Sequence, residues 1–354
     1  MLRLVAFALA LQLASFAAES AAQTVGMSGR ASRGTLQVGI RIASAGEASS
    51  PYATFEKSLD TAMRSSARPL DWALAATASP NPSRTIGAPT PRSDGDLYRA
   101  AQAAPNDALV QWLVANYADT TTPEGASHRA AAIDALTRIE PDNAAVWMQV
   151  IYDAGTRGDA TGVDDALTRM AESRHFDEHF VDIAHAWFDV YNRYPPPAGL
   201  ATDGYDAGFV AAMAKAAATA MPSYQSVILA CKPPATRDGD FDRKASCTRS
   251  GRLMLQHGHT LVAQSIGFAV LRNLDAATDA DRAANRNLDW YRANSLRGTG
   301  DQGDVRDAFS YESDWRRMDD EIDVVKSALR RSGLPTEPPE GWSPPHSTDV
   351  AAAR

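Results

Sequence analysis

From Leu97 onward, apolar residues recur every three or four positions, in segments of twelve to sixteen residues divided by brief polar breaks. That spacing gathers apolar side chains on one face of an α-helix and predicts a run of amphipathic helices. Upstream the pattern is weaker. Phe55 to Ser66 and Pro69 to Ala78 read as two short helices, Pro69 standing in a first turn where its missing N–H costs nothing. Leu36, Val38, Ile40 and Ile42 alternate with polar residues, as a lone strand or a disordered segment would. Ser79 to Asp96 is a Pro/Gly/Ser linker.

Downstream, Phe176 to Tyr194 reads as a helix with Ile183, Ala186, Trp187 and Val190 on its apolar face, ended by Pro195-Pro196-Pro197. Helices at Tyr205 to Ala220 and Tyr224 to Cys231 follow. Asp240 or Asp242 is suited to cap a helix that carries Cys247, Leu253 and Met254 and stops at Gly258. Thr260 to Leu274 is apolar on most sides, so it is expected to be the most buried helix. Asp281 to Leu296 and Val305 to Arg331 read as two charged helices, and the Pro-rich tail from Leu334 as disordered.

Two motifs repeat. Ala-Pro-Asn-Asp-Ala at 104–108 returns as Glu-Pro-Asp-Asn-Ala at 140–144, 36 residues on. Asp134-Ala-Leu-Thr-Arg-Ile139 returns as Asp165-Ala-Leu-Thr-Arg-Met170, 31 residues on. These periods bracket a helix-turn-helix repeat unit. Trp147, Val150, Ile151 and Ala154, with Gly158 at the following turn, Val163 and Leu167 beyond it and Pro141 before it, fall at tetratricopeptide-repeat spacing. Over about Leu97 to Val190 the chain therefore resembles the tetratricopeptide-repeat family, with Gln111 where the first repeat would carry Trp and His175 at the next proline position. The resemblance implies stacked helix pairs with a concave binding face. Trp147, Val150, Ile151 and Leu167 are then core, and Gln111 and Gln149, between the stripe positions, are expected on the exposed binding face.

The N-terminus adds a compartment. Arg3, the apolar run Leu4 to Ala18 and Ser20-Ala21-Ala22 have the layout of a secretory signal peptide, cleaved near Ala22. No later stretch reaches the roughly eighteen apolar residues of a membrane span, so none is expected after cleavage. An exported chain with only two cysteines predicts a Cys231–Cys247 disulfide; their separation of 16 is too wide for a redox or metal pair. The net charge of −8 and the lack of a basic run argue against a nucleic-acid partner.

Candidate chemistry is sparse. His175-Phe-Asp-Glu178-His179 spells the H-x-x-E-H of inverted zinc peptidases, in which two histidines bind zinc and the glutamate activates water. Those enzymes need a downstream acidic ligand, and no glutamate occurs between Glu178 and Glu312. His257-Gly258-His259 reads as a helix end. Gly298 to Gly303 matches a dinucleotide fingerprint but follows a charged helix instead of a strand. Asp238, Asp240 and Asp242 open like a calcium loop, but Arg243 and Arg249 replace its glycine and glutamate.

The expected fold is all-α: antiparallel helix pairs stacked as a short TPR-like solenoid, followed by a disulfide-stapled helical bundle. The expected divisions are a signal peptide (1–22), a flexible N-terminal region (23–96), the repeats (97–200), a C-terminal helical region (201–333) and a disordered tail (334–354). The expected function is a periplasmic or secreted, non-enzymatic interaction or scaffold protein, an immunity or inhibitor protein being a special case. Its partner is another protein or peptide, and no cofactor is expected. The alternative is a metal-dependent hydrolase with Glu178 as catalytic base and His175 and His179 as metal ligands.

Overall fold

The computed structural model describes residues 51–78, 95–197, 206–219, 222–233, 241–294 and 305–344. The expected signal peptide (1–22), the Leu36 to Ile42 patch, most of the 79–96 linker, Asp238, Asp240, the Gly298 to Gly303 loop and the end of the tail lie outside the described residues. Among the described residues every regular element is a helix, so the all-α reading holds.

Side-chain caps set many of the boundaries. Asp107, Thr122, Asn143 and Asp159 each accept a backbone N–H in the first turn of α4 (Ala108–Tyr117), α5 (Pro123–Ile139), α6 (Ala144–Thr156) and α7 (Ala160–Glu172). Each oxygen satisfies one of the four N–H groups that a helix start leaves without an intrahelical partner. Upstream lie α1 (Pro51–Arg64), α2 (Pro69–Ala78) and α3 (Gly95–Ala103). Consecutive helices pack as pairs, α4 with α5 and α6 with α7. Gly158, at φ +69°, makes the turn inside the second pair, a backbone state that L side chains rarely adopt.

The next pair along the chain does not extend this series. Helix α8 (Phe180–Arg193) packs with α9 (Ala207–Thr219). Instead α10 (Gln225–Ala230) lies on α6, and α11 (Phe241–His257) lies on α7, where Arg243 pairs with Asp164. Cys231 and Cys247 are bonded and buried, as expected, and the bond ties the end of α10 to α11. Helix α11 crosses α12 (Leu261–Asn273) at two glycines: a Cβ on Gly267 would sit 2.6 Å from the Gly251 carbonyl oxygen and 2.5 Å from the Leu255 nitrogen. Helices α13 (Asp279–Asn294), α14 (Val305–Trp315) and α15 (Glu321–Arg331) complete the chain.

Burial corrects several expectations. Helix α8, not α12, carries the more buried surface: eight of its residues are buried, whereas Ile266 and Phe268 on α12 stay half-buried. Its side chains engage neighbours on several sides: Arg193 bonds Asp71 of α2 through both guanidinium Nη atoms at 2.7 and 2.8 Å, Phe188 stacks on Phe209 of α9, and Phe180 meets Trp315 of α14. It also starts four residues later than predicted, because 173–179 forms an extended strap. The single helix expected over Val305 to Arg331 is two: Asp314 holds Arg317, and Asp320, accepting the Ile322 N–H, caps a new start at Glu321.

Ile151 and Leu167 are buried as predicted, but Trp147 is half-buried, its Nε1 donating to the Pro141 carbonyl at 2.9 Å. Gln111 and Gln149 are buried, not exposed. Gln111 donates to the Ala101 and Ala104 carbonyls at the end of α3. Gln149 accepts from the buried Arg129 at 2.9 Å and donates to Asn116 at 3.0 Å, linking α5, α6 and α4. Residues 334–344 pack on α13: Trp342 meets Trp290 edge to face at 5.2 Å, and Arg286 donates to the Trp342 carbonyl. One apolar cluster runs from Leu59 to Val324, across residue 200; a second joins α11, α12, α13 and α15.

Candidate functional site

The strap 173–179 is where most of the chain's unusual chemistry collects. It runs between the start of α6 and the α11–α12 connector, through isolated parallel bridges of His175 with Asn143 and of Phe176 with Gly258. Asn143, fully buried, clamps it. The Asn143 Oδ1 accepts the Asp177 N–H at 3.0 Å, and its Nδ2 donates to the Asp177 carbonyl and to Glu140 Oε2, both at 2.9 Å. One amide thus fixes the strap and the carboxylate that ends α5.

The clamp turns the two central residues in different directions. Glu178 is fully buried; its Oε1 accepts hydrogen bonds from Tyr224, at 3.3 Å, and from Thr260, the N-cap of α12. Its Oε2 is buried without a partner among the described residues. Burial pushes its carboxyl up to about 7, against the pull of the Thr260 hydrogen bond. Glu321, at the start of α15, is also buried; its Oε2 accepts the Leu261 N–H at 2.9 Å, and burial raises it to about 7.

His179, in the left-handed region at φ 58°, lies between two carboxylates: Nδ1 is 2.9 Å from Asp182 Oδ2 and Nε2 is 3.1 Å from Glu140 Oε2. Burial alone would lower its imidazole, but these bonds outweigh it and raise it to about 10. The His179 bond in turn draws Asp182 below the ordinary carboxylate range.

Beside His179 a groove of about 440 Å³ opens between α2, α4 and α8, lined by Leu70, Asp107, Leu109, Asp182, His185 and Ala186 among others. A second hollow of about 250 Å³ brings His175 to His257, His259, Asp320 and Lys326.

The residues of the H-x-x-E-H segment are therefore adjacent but not arranged as the motif requires. Its two histidines bind one ion only when a helix presents them on the same face. Here the segment is extended, His175 is exposed toward the second hollow, and Glu178 is sealed among Tyr224 and Thr260. Glu140, Asn143, Asp177, Asp182 and Glu321 were not singled out by sequence patterning. Glu140 and Asn143 did stand in the Glu-Pro-Asp-Asn-Ala segment, which was read only as one copy of a repeated motif. Comparisons with protein-family models, with curated proteins and with solved structures found no match.

Proposed function

We propose that the chain is an exported, periplasmic or secreted, non-enzymatic interaction protein, and that its helix pairs stack in the manner of tetratricopeptide repeats. The observation that carries this reading is the pairing itself: α4 with α5, α6 with α7, and then α10 and α11 laid on α6 and α7. Such stacks hold a continuous core and leave side chains along one flank for a partner. The disulfide is compatible with an oxidising compartment. No described helix is long and apolar enough to cross a membrane.

The burial of Gln111 and Gln149 moves the binding face. The groove between α2, α4 and α8 takes their place, with half-buried Leu70 and Leu109 offering apolar contact and Asp107 and Asp182 at its polar edge. A protein or peptide segment with an apolar side chain flanked by a basic one fits that lining. Leu109→Asp in the full chain tests the assignment. The expected result is loss of a co-purifying partner from the native host by a variant that still melts cooperatively above the assay temperature. Retention of the same partner at the same yield contradicts it.

A further inference from the structure

We propose that Asp177, His179 and Asp182 form a binding site for a divalent transition-metal ion of the zinc or manganese class, backed by Glu140. This does not depend on the interaction role, and it differs from the H-x-x-E-H assignment, which needs His175 and Glu178. One ligand atom from each of Asp177, His179 and Asp182 lies within 4.8 Å of the other two. At metal–ligand bonds of about 2.0–2.2 Å, neighbouring donor atoms lie about 2.8–3.1 Å apart in an octahedral shell and about 3.3–3.6 Å apart in a tetrahedral one. The 2.9 Å between His179 Nδ1 and Asp182 Oδ2 matches the octahedral spacing. An ion seated there would replace the proton that now joins them, and that proton would leave to solvent.

The other face of the imidazole supplies an observation outside the ligand set. Metal-bound histidines donate their second ring N–H to a carboxylate or carbonyl, which fixes the ring and makes the bound nitrogen more basic. Here Nε2 meets Glu140 Oε2 at 3.1 Å, from the end of another helix. Glu140 is itself held by the Asn143 amide that also clamps the backbone of Asp177, so one buried residue positions a ligand and the group behind a ligand. Asp182 stands three residues after His179, in the first turn of the helix that His179 precedes, and its side chain is 52% exposed. His179 and Asp182 both line the groove, which gives an ion a route in and leaves coordination positions for water. Two carboxylates and one imidazole are hard and borderline donors, the set that suits zinc or manganese over copper(I).

The test uses the full oxidised chain, with Co²⁺ as a visible-absorption probe and Zn²⁺ as competitor. The expected result is saturable Co²⁺ d–d bands at one ion per chain, displaced by Zn²⁺, with a rise in melting temperature. Asp182→Asn, at an exposed position, and Glu140→Gln should each weaken binding by about tenfold or more. His175→Ala should leave it unchanged. Melting in chelator checks that each variant is folded. Absence of bands at millimolar Co²⁺, unchanged affinity in both carboxylate variants, or loss of binding in His175→Ala overturns the proposal.

Discussion

Replacing Glu321 by Gln isolates the energetics of one buried carboxyl. Its Oε2 accepts the Leu261 N–H at 2.9 Å, so the first turn of α15 is tied to the first turn of α12. Burial raises the group from 4.5 to about 7; Asp320 adds to the shift, while the Leu261 bond and Arg292 oppose it. The folded value lies above the unfolded one, so the native state holds this proton more tightly. Its contribution is complete below pH 4.5 and is lost as pH rises toward 7. The gap corresponds to about 3 kcal/mol at full ionisation. A glutamine oxygen still accepts the Leu261 N–H and never ionises. Urea-denaturation midpoints of parent and Glu321→Gln should therefore nearly coincide near pH 4.5 and separate above 7, the variant being more stable by about 2–3 kcal/mol. Glu178 and His179 give slopes of the same sign in both proteins, and subtraction removes most of that effect. A difference that is constant with pH would refute the reasoning.

Free-thiol counting under denaturant should find none in freshly isolated protein, and Cys231→Ser should lower stability by about 3 kcal/mol, the loop-closure value for a separation of 16. Gly267→Ala should cost about 1–3 kcal/mol, because its methyl would press on the Leu255 and Gly251 backbone and the Met254 Cβ of α11; thermal melting reads this directly. Trp112→Ala should cost about 3–5 kcal/mol, since its ring is fully buried. Trp147→Ala should cost clearly less, and equal losses in chemical denaturation would show that both rings are core.

Helix content was legible because apolar spacing and turn residues are local signals: Pro69 and Gly158 act within one turn of themselves. The disulfide was legible because only two cysteines exist. Spatial order was not. Nothing near Ser226 or Arg243 announces that α10 and α11 return to α6 and α7, past α8 and α9. Polar burial was missed for the same reason. Gln149 looks like a surface residue until Arg129 and Asn116, 20 and 33 positions away, are brought to it. Phe176 to His179 was read as the start of the helix that carries Ile183, Ala186, Trp187 and Val190. Asn143 makes this segment a strap through hydrogen bonds that span 34 residues, a constraint no window of sequence contains.

Site-specific photocrosslinking in the native host tests the interaction role most directly. A photoreactive residue is placed at Leu109, in the groove, and for comparison at Glu172, exposed on α7. A groove-bound partner predicts one discrete crosslinked species from position 109, absent from position 172 and reduced by Leu70→Asp. Identical patterns from both positions, or no adduct from 109 in the exported fraction, would contradict it.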